Sequence, residues 1–209
     1  MTLNPLTALS PVDGRYAARA DSLRPFLSEY GLIRYRVKVE VRWLRALADA
    51  PGIGELAGLE PAWLAVLETL EDHFGAADAE AVKAIEADTN HDVKAVEYLI
   101  KTRLADAGAP SAVREFVHFA CTSEDINNLA YALMLKAARE EVLLPAQDRL
   151  IDVLEAMAVE LAEQPMLSRT HGQPASPTTL GKEIANVARR LTRQRDQFAA
   201  VRPMGKMNG

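Results

Sequence analysis

Between Ser168 and Ala175 the chain reads Ser-Arg-Thr-His-Gly-Gln-Pro-Ala, a hydroxyl, an imidazole and an amide among two backbone breakers. An imidazole can give or take a proton near neutrality. Of the four histidines, only His171 is flanked by a glycine and a proline, Gly172 and Pro174, which fits an exposed and rigidly aimed ring. Three further polar clusters interrupt the apolar patterning: Gly14-Arg15-Tyr16, Asn90-His91-Asp92 and Thr122-Ser123. The last two fall at predicted helix N-termini, where unpaired amides and the positive end of the helix dipole face outward. Together with Arg15 they could gather anionic groups, phosphate or carboxylate, with His171 doing proton chemistry beside them. Each cluster also has a plainer reading. Arg15 would be a surface charge, Tyr16 a packing ring, Asn90, Asp92 and Thr122 simple caps, and His171 a solvent-facing turn residue. His73 and His118 have no polar cluster and read as structural.

The elements that must position these clusters read as helices. Tyr30, Ile33, Val37, Val41, Leu44 and Ala48 lie three or four apart, one face of a 3.6-residue period. Pro51-Gly52 stops that run, and Pro61 opens another carrying Trp63, Leu67, Leu70 and Phe74. Asp78 fits the cap of a short third helix. Asn90 or Asp92 fits the cap of the next one, striped by Val93, Val96, Ile100 and Leu104. Thr122 with Asp125 fits a capping box, so a long helix is expected from about Ser123, kinked or split at Pro145. Pro165 ends it, the His171 segment reads as a loop, and a last long helix spans the stripe from Leu180 to Phe198. Residues 1–20 read as an irregular arm. No segment shows sustained strand alternation, so the expected class is all-α. Residues 1–110 are expected to form an N-terminal helical domain and residues 111–209 to begin a central helical bundle, left incomplete by a sequence that ends in an apparent loop.

Composition bounds the chemistry. The 209 residues are 49% apolar and 25% charged, as in ordinary soluble domains. A net charge of −5 argues against a nucleic-acid partner, though not against a small anion held by a local donor cluster. The single Cys121 allows no intrachain disulfide and fits a reducing cytoplasm. No apolar run approaches a membrane span, and no signal-peptide pattern opens the chain. No two histidines stand at i, i+4 and there is no second thiol, so no metal site is expected. Neither a glycine-rich phosphate loop nor a G-x-S-x-G elbow is present.

Four stretches together carry a family resemblance: Ser10–Tyr16, Thr89–Glu97, Thr122–Asn128 and Ser168–Ala175. In this order they resemble the adenylosuccinate lyase family of the fumarase/aspartase superfamily. Argininosuccinate lyases and fumarases share the His171 segment but not the first two stretches, and are the more distant alternative. A helical assembly module without catalysis is the alternative from another class. The resemblance implies a carbon–nitrogen lyase of purine synthesis that eliminates fumarate from adenylosuccinate, giving AMP, and from SAICAR, giving AICAR. It implies His171 as the general acid and Arg15, Tyr16, Asn90, His91, Asp92, Thr122 and Ser123 as substrate-binding residues. Thr170 and Gln173 are implied near the succinyl part. No cofactor is implied, and the family's complete enzymes are homotetramers. The family's later loop, with its catalytic serine and substrate-binding lysine and asparagine, does not occur here. These residues therefore resemble the family's N-terminal portion, and are expected to be inactive by themselves.

Overall fold

The apolar stripe from Tyr30 to Ala48 lies on the helix around which the first part of the chain packs. The fold is a computed structural model that describes residues 10–56 and 58–208. The first nine residues of the expected arm lie outside the described ones. In chain order the elements are α1 (Ala17–Ala20), α2 (Arg24–Leu27), α3 (Glu29–Ala48), α4 (Pro61–Asp72), α5 (Ala76–Thr89), α6 (Asp92–Asp106), α7 (Ser111–Arg114) and α8 (Ser123–Ala138). There follow α9 (Leu144–Glu160), the strands β1 (Pro165–Thr170) and β2 (Gln173–Thr179), and α10 (Leu180–Ala200). In the rest of the arm the amides of Asp13, Gly14 and Tyr16 donate to the carbonyls of Ser10 and Pro11 in a series of turns, and its last four residues are helical, as α1.

The contacts divide the chain into two units, one reaching Lys136 and rejoined from Pro203, the other Ala137–Arg202. In the first, Ser28 caps α3 by accepting the Gly31 amide at 3.2 Å. From residue 31 to residue 41 the helix has no exposed position, and Arg36 and Glu40 are buried with the apolar side chains. Val37, Val41 and Leu44 meet Leu67 of α4, Val82 of α5 and Val96, Ile100 and Leu104 of α6 in one apolar core. Each such side chain contributes about 1.5–3 kcal/mol when fully buried. Gly75, not Asp78, caps α5; the Asp78 carboxylate reaches back to accept the Gly75 amide at 3.0 Å.

In the second unit Pro145 sits in the first turn of α9, and a π-helical turn at Arg139–Leu143 precedes it. The wider turn accommodates a residue with no amide to donate, so the expected kink is a local change of helix type. α9 and α10 pack closely at Gly181, where a Cβ would meet the carbonyl of Ala158 and lie 2.7 Å from the Ala162 backbone. Arg195 of α10 grips Asp148 of α9 through two hydrogen bonds of 2.7 and 2.9 Å.

Among the described residues one segment forms strands, the one expected as a loop. It is an antiparallel two-stranded hairpin, with Thr170 opposite Gln173 and a bulge between Leu167 and Arg169. Pro165, Pro174 and Pro177 exclude a helix there. They are tolerated in strands because a two-stranded ribbon has only edge strands.

Candidate active site

His171 and Gly172 are the two central residues of the hairpin turn, both left-handed, with φ of 53° and 75°. That pair of positive angles marks the two-residue turn whose twist matches antiparallel strands. Gly172 adopts it freely, whereas His171 is held there against its own preference. The ring stands exposed at the tip. The base of the hairpin is fastened by amides of α10, Leu180 to the Gln164 carbonyl at 3.0 Å and Gly181 to that of Leu161 at 2.9 Å. Thr179 caps α10 by accepting the Lys182 amide at 3.2 Å.

The other clusters belong to the first unit. Asn90 ends α5 in the left-handed region, with φ of 50°. His91 itself is the cap of α6, rather than Asn90 or Asp92. Its Nδ1 accepts the Lys94 amide at 3.2 Å, which leaves Nε2 to carry the ring proton. Asp92 begins the helix, with Oδ1 on the Val93 amide at 2.9 Å and Oδ2 on the Arg36 guanidinium at 2.5 Å. Burial works to raise the Asp92 pKa, but the Val93 amide and Arg36 outweigh it and hold the group below its ordinary value.

Thr122 precedes α8. Its amide donates to Asp125 Oδ2 at 2.8 Å, and its hydroxyl donates to the same oxygen at 3.1 Å. This is half of the expected capping box, because the hydroxyl turns to the carboxylate instead of the Asp125 amide. The other Asp125 oxygen accepts the Asn208 amide, and Asn128 exchanges two bonds with the Lys206 backbone, at 3.0 and 2.9 Å. The segment after Pro203 thus lies along the start of α8. Ser123 is half-buried in its first turn. Arg15 and Tyr16 are exposed neighbours, the guanidinium 5.3 Å from the ring centre.

Arg36 brings two of the clusters together. Besides Asp92 it holds Asn127 Oδ1 through Nε at 2.8 Å, tying the start of α6 to the first turns of α8. Four residues on, Glu40 is fully buried and meets His118 Nδ1 at 2.5 Å. The bond to Glu40 raises the His118 pKa, with burial opposing. His118 lies in a left-handed turn (φ 65°) rather than within a helix. Trp43 donates its indole N–H to the Phe119 carbonyl at 2.8 Å. Nearby, burial first and then the charges of Glu40 and Asp125 push the Cys121 thiol up to about 11, so it is no nucleophile. Sequence reasoning passed over Arg36 and Glu40. The available signal was two charged residues four apart among the apolar positions of one helix. Among the described residues no group of three or more His, Cys, Asp or Glu is gathered as metal donors would be. No described helix is long and apolar enough to cross a membrane.

The sequence pattern of the family described as "Lyase" matches residues 14–208, and the chain belongs to that family. Among individual proteins, it is 53% identical over all 209 residues to the adenylosuccinate lyase of Escherichia coli strain K12. It is 51% identical to that of Vibrio cholerae and 52% to that of Haemophilus influenzae, again along its whole length. In each comparison it covers 46% of the relative, so it spans about half their length. Among solved structures, 3-carboxy-cis,cis-muconate lactonizing enzyme from Pseudomonas putida superposes with a TM-score of 0.65 at 26% identity, over 86% of this chain and 38% of that one. A fumarate lyase from Mesorhizobium sp. BNC1 shares the fold, with a TM-score of 0.66 at 21% identity, over 85% of this chain and 39% of that one.

Proposed function

We propose that these residues are the N-terminal portion of an adenylosuccinate lyase, a cytoplasmic enzyme that eliminates fumarate from adenylosuccinate and from SAICAR. The observation that carries this is the likeness along the whole chain to proteins of that name. In this reading residues 1–110 are the N-terminal domain and 111–209 the opening of a central bundle. The elimination breaks the bond between nitrogen and the succinyl carbon, forms the double bond of fumarate, and moves one proton off carbon and one onto nitrogen. His171 gives the departing nitrogen its proton, and the exposed ring at a fastened hairpin tip suits that task. The base that takes the carbon-bound proton comes from outside these 209 residues. Arg15 and Tyr16 hold the nucleotide. His91 offers its Nε2 proton to it, beside Asn90 and Asp92. Thr122 and Ser123 line the pocket at the start of α8. Thr122 gives its own amide and hydroxyl to Asp125 and so shapes the turn, leaving the Ser123 hydroxyl and the helix amides to meet a carboxylate or phosphate. Thr170 and Gln173, facing each other beside the turn, flank the succinyl part.

The complete enzyme in this reading is a homotetramer. Supporting it, Leu150 and Val153 of α9 and Val187 of α10 are 52%, 56% and 48% exposed, apolar area of the kind that subunit packing covers. The complete enzyme, given adenylosuccinate, should release AMP and fumarate in equal amounts. Release of fumarate from argininosuccinate instead, or none from either, would overturn the reading. The 209 residues alone should show no measurable turnover, because the members of one catalytic unit are far from additive.

A further inference from the structure

Arg36 is a buried cation in the middle of α3, with only 4% of its surface exposed. A guanidinium taken out of water at that depth needs partners on more than one side. It has two on different elements, Asp92 at the start of α6 and Asn127 in α8, one turn beyond Ser123. Both bonds leave one rigid planar group, so its plane fixes the spacing between the two helix starts. The Asp92 carboxylate, occupied on both oxygens, sets where α6 begins and therefore where the His91 ring is aimed. The same helix continues the work, because Glu40 and Trp43 hold His118 and the Phe119 carbonyl in the segment leading to Thr122. All these residues lie in one unit.

We propose that Arg36 is a positioning residue for substrate binding, acting through Asp92 and Asn127 to hold the His91 cap and the Thr122-Ser123 turn at the separation the nucleotide requires. This rests on the adenylosuccinate lyase reading. Arg36 acts on affinity and not on the proton transfers, because its guanidinium is spent on Asp92 and Asn127 and, at 4% exposure, is closed to substrate.

The test uses the complete enzyme. Arg36→Met should raise the KM for adenylosuccinate by about 10- to 100-fold, the scale of a misplaced binding group, while kcat stays within about threefold. Arg36→Lys should recover part of that loss, because an ammonium can pair with Asp92 but cannot hold Asn127 in the same plane. Asn127→Ala, which leaves the buried charge paired with Asp92, should raise KM less and guards against a variant that does not fold. Carbon-13 NMR of the Asp92 carboxyl supplies a readout apart from turnover, its pKa rising toward the ordinary carboxylate value in Arg36→Met. Unchanged KM in folded Arg36→Met and Asn127→Ala, or losses confined to kcat, would overturn the proposal. Should the wild-type enzyme fail to act on adenylosuccinate, the functional reading falls. The linkage to Asp92 is then decided by the titration, and an unmoved pKa overturns that as well.

Discussion

In the first unit the polar helix starts are fixed from behind by side chains of α3: buried Arg36 on Asp92 and Asn127, buried Glu40 on His118, and partly buried Trp43 on the Phe119 carbonyl. In the second unit His171 stands at the tip of a hairpin held at its base by backbone amides and at its turn by two left-handed residues. On the proposed function the contrast follows from what each region has to do. Residues that bind must keep a fixed separation across two helices, and buried charges impose it at a cost in stability. A residue that donates a proton to a substrate atom must reach outward, and a two-residue turn projects a ring without burying it. In that proposal the first arrangement ties binding geometry to the core, and the second separates catalytic reach from it.

The largest expected effect comes from breaking a buried pin. His118→Ala leaves the Glu40 carboxylate alone, with its Oε2 already lacking a partner among the described residues. Thermal or denaturant unfolding should show a loss of about 3–5 kcal/mol, as for other buried pairs deprived of one member. The same pair has a pH signature. Its bond to Glu40 raises the His118 pKa in the folded state, so the folded protein holds that proton more tightly than the unfolded chain. The stabilisation is complete below the unfolded value of about 6.5 and is lost as pH rises through the folded one. The wild-type melting temperature should therefore fall between neutral and alkaline pH by more than that of His118→Ala. Parallel curves would show that the His118–Glu40 pair does not fasten this unit.

A smaller effect is expected at the hairpin. Gly172→Ala puts a side chain at φ of 75° and should weaken the turn by about 1–2 kcal/mol, the cost of that conformation for an L-residue. The complete enzyme should lose kcat with little change in KM, the reverse of the Arg36 variants. Smallest is Thr179→Ala, which removes the α10 cap and should cost about 1 kcal/mol in unfolding experiments. If Gly172→Ala raised KM and spared kcat, the two units would not divide binding from proton transfer as described.

Much of this architecture was legible in the residues. The stripes of α3, α4, α6 and α10 announced their helices because burial on one face leaves a 3.6-residue signature. Pro145 announced a local break, but not its form, since a π turn depends on how neighbouring carbonyls settle. The hairpin was not legible, because three prolines and a mixed polar composition erase strand alternation, and His-Gly is a less familiar turn pair than Asn-Gly. Two of the polar clusters could be found as helix starts. Which residue capped each one depended on side-chain geometry, so His91 took the place read for Asn90 or Asp92. The pins from α3 were hidden for a different reason. Arg36 and Glu40 pair with residues 56 and 78 positions away, and single-chain periodicity carries no information about such partners.

The most direct measurement compares His171→Ala with the wild-type complete enzyme under single-turnover conditions on adenylosuccinate, with substrate binding followed in parallel. The elimination rate should fall by about 10²–10⁴-fold, the usual worth of a positioned general acid, with binding and melting temperature preserved. A rate within a few-fold of wild type, or a loss matched by an equal loss of binding, would contradict that role.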